Sequence, residues 1–83
     1  MPRSVRPHSA AHSRPLGAGA RVHHVSELRA GDNVEIRAWD MVRYRGEVDA
    51  VCPQLGVLWV LDGPLRNRVM IQACEYTVWK TSR

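Results

Sequence analysis

From residue 33 onward the apolar positions recur at every second residue, the spacing of a strand with one face in a core, and nowhere at helical spacing. Val34 and Ile36 alternate with Asn33, Glu35 and Arg37 directly after the turn signal Ala30-Gly31-Asp32, which predicts a short half-buried strand. Val42 and Tyr44 alternate with Arg43 and Arg45; Gly46 interrupts, and Val48, Ala50 and Val51 follow, so the same face continues through a bulge or sharp bend at the glycine. Pro53-Gln54-Leu55-Gly56 closes that strand and opens a hairpin. The run Val57 to Leu61 is apolar on both faces and predicts the central strand, with Tyr44 and Trp59 among the core residues. Asp62-Gly63-Pro64 opens a turn that continues through Leu65-Arg66-Asn67, and Arg68 to Gln72 forms the next strand. Ala73-Cys74-Glu75-Tyr76 reads as a connector of one 3₁₀ turn before the last strand, Thr77 to Lys80.

Five short strands in about 50 residues, with turns at roughly ten-residue spacing, favour a small closed barrel over an open sandwich, because closure hides the edges of short strands. The pattern Gly31-Asp32-x-Val34-x-Ile36, then Gly46-x-Val48-x-x-Val51, then Val57-Leu58-Trp59-Val60 and a last strand after a one-turn connector resembles the small SH3-like barrels of the Tudor and KOW type. The resemblance covers residues 29–80 and concerns fold type, with no single family behind it. It implies an all-β domain, a five-stranded SH3-like barrel, that binds nucleic acid, ribosomal components, transcription machinery or protein tails, and is rarely an enzyme.

Residues 1–25 are different material. They carry Arg3, Arg6, Arg14 and Arg21, all four histidines, three prolines and no acidic residue, and few large apolar side chains. Such a segment cannot offset the entropy of ordering itself, so it is expected to be a disordered basic arm preceding a barrel over residues 26–83. It has no apolar stretch like that of a secretory signal, its prolines spoil the amphipathic helix of a transit peptide, and an upstream start codon is a third origin for it. A cytoplasmic protein is the expectation. The charge divides along the same line. The chain has formal charge +4, yet residues 26–83 hold eight basic and eight acidic side chains, so the excess belongs to the arm.

Candidate chemistry is sparse. Cys52 and Cys74 have no second ligand at zinc-site spacing and read as small buried hydrophobes, and a disulfide between them needs the end of the second strand to meet the connector. His23-His24 is an adjacent pair, poorly spaced for one ion. The serines lie in the arm or at the domain's ends, and there is no phosphate-binding glycine loop, so neither catalysis nor a cofactor or metal is expected. Glu47 and Asp49, interleaved with Arg43 and Arg45, read as a solvated face with cross-strand ion pairs. An aromatic cage for a methylated lysine or a proline-rich tail has Trp39, Tyr76 and Trp79 to draw on.

The expected role is therefore a non-enzymatic binding module docking on a nucleic-acid or ribonucleoprotein assembly. Arg3, Arg6, Arg14 and Arg21 of the arm would supply salt-sensitive affinity for RNA or DNA, and Arg37, Arg43, Arg45, Arg66 and Arg68 would orient the barrel, with Trp39 as a stacking platform. The competing expectation is a protein adaptor or inhibitor that contacts a larger protein through the Trp39 loop and the 62–68 hairpin. No membrane partner is expected, and the protein is expected to be a monomer or a weak homo-oligomer built by strand-edge pairing.

Overall fold

A computed structural model describes residues 19–81, and these form an all-β unit. Six strands, β1 (Ala20–Val22), β2 (Asn33–Ala38), β3 (Met41–Cys52), β4 (Val57–Asp62), β5 (Asn67–Gln72) and β6 (Thr77–Thr81), make one antiparallel sheet. Their order is β1-β6-β2-β3-β4-β5. Single 3₁₀ turns occupy Val25–Glu27, Pro53–Leu55 and Ala73–Glu75, the last where the connector before β6 is expected.

Two features differ from the expected five-stranded barrel. The additional strand, β1, comes from the end of the expected arm: Arg21 faces Trp79 and Val22 faces Val78 in register. It contributes a single buried residue, Val22, too little for alternation to reveal it. The second difference is closure. The sheet ends at β1 on one side and β5 on the other, and no ladder joins them. Val22 of β1 and Ile71 of β5, at the two ends, nonetheless belong to one core cluster with Val34, Ile36, Val48, Leu58, Val60 and Val78. Val25, which opens the first 3₁₀ turn, and Leu28, which follows it, complete it.

The long strand β3 explains the curl. Its first half pairs with β2 and its second half with β4, and Gly46 is paired on both sides, with Val34 and with Asp62. A Cβ at Gly46 would overlap the carbonyl oxygen of Leu61, so the close backbone approach requires glycine. The bulge expected at Gly46 is absent there. Register shifts fall instead on either side of it, between Ile36 and Arg37 opposite the first half and between Val48 and Ala50 in the second.

The inner face of β4 is Leu58 and Val60, both fully buried, whereas Trp59 lies half-exposed on the outer face. Trp59 is thus not the core residue expected of it. A run apolar on both faces leaves the choice open, and the partners decide: Val60 meets Val48 and Leu58 meets Ile71. Tyr44 does pack against the core, edge-on to Tyr76 at 6.2 Å between ring centroids. Both cysteines are free; Cys74 is exposed in its connector and Cys52 half-buried, so neither is the fully buried hydrophobe expected.

Candidate docking site at the Trp39 hairpin

The β2–β3 connection is the two-residue turn Trp39-Asp40, with φ of 54° and 64°. Positive φ at both central residues is the signature of a type I′ hairpin, which matches strand twist and is normally made by Asn-Gly or Asp-Gly. Here a tryptophan holds the first place. Left-handed backbone costs a bulky residue of order 1 kcal/mol or more. The ring recovers nothing by packing, since Trp39 is 91% exposed, the highest exposure among the large hydrophobic residues described.

Beside this hairpin lies an open cleft of about 770 Å³ on the outer face, lined by Arg21, Arg37, Trp39, Tyr76 and Trp79 among others. Register assembles its floor. Arg21 of β1, Trp79 of β6, Glu35 of β2 and Arg45 of β3 stand in one row across four neighbouring strands, and Thr77 faces Arg37 in the adjoining row. The Arg37 guanidinium sits over the Trp79 ring at 4.2 Å from its centroid. The indole Nε1 donates to Thr77 Oγ1 at 3.1 Å, which fixes the ring edge.

Beneath the cleft is a buried charge cluster. Glu35 is 2% exposed and Arg37 8%. Arg37 donates to Glu35 Oε1 through Nη2 at 2.8 Å and through Nε at 3.1 Å, and Arg45 donates to Oε2. Burial alone pushes the Glu35 carboxyl up, but the Arg37 hydrogen bond and the Arg45 charge outweigh it and hold the group below its usual value. One carboxylate held between two guanidiniums leaves the cluster with a formal net charge of +1. Among the described residues no group of three or more His, Cys, Asp or Glu is placed to hold a metal ion.

The expected binding arginines therefore separate into distinct environments. Arg3, Arg6 and Arg14 lie outside the described residues. Arg21 and Arg37 reach the cleft, Arg45 pairs with Glu35 below it, and Arg43 is exposed on β3. Arg66 and Arg68 sit elsewhere, on the β4–β5 hairpin, where Arg66 pairs with Glu47 at 2.8 Å and Arg68 with Asp49 at 2.7 Å. Arg68 also lies over the Trp59 ring, 5.1 Å from its centroid. Glu47 and Asp49 thus find ion-pair partners on β5 and its turn, and Arg45, its side chain 38% exposed, pairs with the buried Glu35. Of the three residues proposed for an aromatic cage, Tyr76 is engaged with Tyr44 and Trp79 is covered by Arg37, which leaves Trp39 as the open ring.

Glu35, Thr77 and Asp40 are site residues that composition did not single out. The one signal for the first is the Glu35-x-Arg37 spacing, which puts opposite charges on the same face of a strand. Comparison with protein-family models, with curated proteins and with solved structures returns no match for this chain.

Proposed function

We propose that this chain is a non-enzymatic binding module, a curled six-stranded relative of the SH3-like barrel, that docks on a larger protein through the Trp39 hairpin and the cleft beside it. The observation that carries this reading is the combination at Trp39 of near-complete exposure with a left-handed backbone. A residue that costs stability where it stands and contributes nothing to the core is accounted for by a contact made outside the domain. Tryptophan is the residue that most often dominates such contacts, contributing about 2 kcal/mol or more when its ring enters a partner's pocket. The Arg37–Trp79 stack and Arg21 would form the polar rim around it.

The reading is tested by affinity capture in the presence of nuclease, comparing the intact chain with Trp39→Ala. A discrete protein retained by the first and lost by the second is the expected result. Equal retention by both removes the hairpin from the interface.

A second reading, docking on nucleic acid or a ribonucleoprotein, draws support from Arg21, an exposed cation that lines the cleft with the open tryptophan. Its electrostatic share rests on residues 1–25, because Arg37, Arg45, Arg66 and Arg68 already face carboxylates. Retention on RNA or DNA that falls steeply with salt, and collapses when residues 1–18 are removed while β1 is kept, would favour it. Protein capture insensitive to nuclease favours the first reading.

A further inference from the structure

Among the described residues β5 is an edge strand of the sheet. β5 is hydrogen-bonded on one side, to β4, with an unbroken register from Val57–Gln72 to Asp62–Asn67. Which of its backbone groups are spent follows from one bond. The Ala73 N–H donates to the Gly56 carbonyl at 2.9 Å, and antiparallel pairs alternate between hydrogen-bonded and non-hydrogen-bonded. Leu58–Ile71 and Val60–Val69 are therefore bonded pairs, while Val57–Gln72, Trp59–Met70 and Leu61–Arg68 are not. The N–H and C=O groups of Arg68, Met70 and Gln72 consequently point away from β4, off the edge of the sheet. The side chains of all three are exposed.

The usual protections of an edge strand are missing here. β5 has no bulge and no proline, and its one charged side chain, Arg68, is held to Asp49 at 2.7 Å. Met70 is 51% exposed in the middle of the strand, and Leu65, in the turn leading into it, is 82% exposed. The opposite end of the sheet, β1, is blunted by its length of 3 residues.

The geometry points to a second copy of this chain as the occupant, paired antiparallel β5 to β5 about a two-fold axis at Met70. That register sets Met70 opposite Met70 of the second copy and Arg68 opposite Gln72 of the second copy. Every outward N–H and C=O then meets a complementary group, since the three residues with outward groups pair only among themselves. Val69 and Ile71 fall opposite Ile71 and Val69 of the second copy, so apolar residues pair with apolar residues on that face. A slip that centres the axis on Arg68 places two guanidiniums face to face and leaves Gln72 unmatched, so charge also selects the register. The dimer uses none of Arg21, Trp39 or Trp79, and it is independent of what the Trp39 hairpin contacts. A single added ladder buries little surface, so association is weak and depends on concentration.

Sedimentation equilibrium of the full chain from micromolar to near-millimolar concentration tests this. The expected result is a mass rising from that of one chain toward twice that value, with Met70→Lys weakening association about tenfold or more by placing two ammonium groups across the axis. Met70→Pro removes an outward N–H that β4 does not use, and it abolishes the dimer while the circular dichroism of the sheet persists. If proline prevents folding, the lysine variant alone decides. A chain that stays monomeric throughout, or a dimer that survives Met70→Lys unchanged, overturns the inference. So does a monomer that takes up an extended peptide along β5 in place of its own copy.

Discussion

The two faces of β2 bury their side chains equally well by opposite means. Val34 and Ile36 point inward and are fully buried among aliphatic neighbours from every other strand. Glu35 and Arg37 point outward and are almost as well hidden, Arg37 stacked on the Trp79 ring and Glu35 held between Arg37 and Arg45. On the inner face burial is driven by removing apolar surface from water, at roughly 25 cal/mol per Å². On the outer face it must overcome the desolvation of ions, and it succeeds because the carboxylate accepts from two guanidiniums and one guanidinium stacks on an indole. One strand thus belongs at once to a core and to a platform, and the platform is what holds the cleft beside the Trp39 hairpin in shape.

Truncation on each face gives the largest effects and tests the equivalence directly. Ile36→Ala is expected to destabilise by about 3 kcal/mol, within the range for a large aliphatic residue emptied from a packed core. Glu35→Ala is expected to cost nearly as much, about 3 kcal/mol, because it removes the carboxylate to which the buried Arg37 guanidinium donates. Urea unfolding of both variants measures the ratio. A Glu35→Ala cost below about 1 kcal/mol would place the cluster with ordinary surface ion pairs and break the comparison.

Acid separates the faces next. The inner face has no group to titrate, whereas the Glu35 carboxyl is held below its usual value in the folded chain by Arg37 and Arg45. A carboxyl with a depressed folded pKa contributes stability that is fully present above its unfolded pKa. That stability is lost as pH falls through the folded value. The expected outcome is a urea midpoint that drops as pH descends from the normal glutamate range to the lower folded value. The same scan on Glu35→Gln should give a shallower acid limb from a lower plateau at neutral pH. Parallel curves for the two proteins would show that the pair contributes nothing through its charge.

The inner face was legible in the sequence and the outer face was not, for a physical reason. Alternation reports which positions are apolar, and Val34, Ile36, Val48 and Ile71 declare themselves that way. A glutamate and an arginine on the opposite face look the same whether solvent or protein surrounds them, until a register brings Trp79 and Arg45 alongside. The strand β1 was hidden for a related reason, since its one buried residue, Val22, makes no pattern by itself. Trp59 was misassigned because its run is apolar on both faces. Trp39 was legible as a loop aromatic, but its turn was not, because type I′ geometry is signalled by glycine and asparagine and here falls on Trp-Asp.

The exposed charge pairs supply the small end of the comparison. Arg66–Glu47 has the hydrogen-bond length of the Glu35 cluster, 2.8 Å, but its side chains are 56% and 37% exposed. Arg66→Ala should therefore shift stability by no more than about 0.5 kcal/mol. A larger loss would mean that the turn carrying Arg66 with its φ of 57° is held by that pair, and the contrast between buried and exposed charge would then need redrawing.

The remaining effect is modest in size and opposite in sign. At Trp39 the backbone φ of 54° favours glycine, and a 91% exposed ring contributes no packing to lose. Trp39→Gly should therefore stabilise the folded chain by about 0.5–1 kcal/mol, by relieving the left-handed penalty against the added chain entropy of glycine when unfolded. Thermal unfolding measures it, with Trp39→Ala as the control that removes the ring and keeps the penalty. If glycine and alanine give the same stability, the turn stores no strain and the tryptophan is there at no cost to the fold. If glycine is the more stable while capture of the partner is lost in both variants, then the hairpin gives up stability to hold its ring in the open, as a docking residue would require.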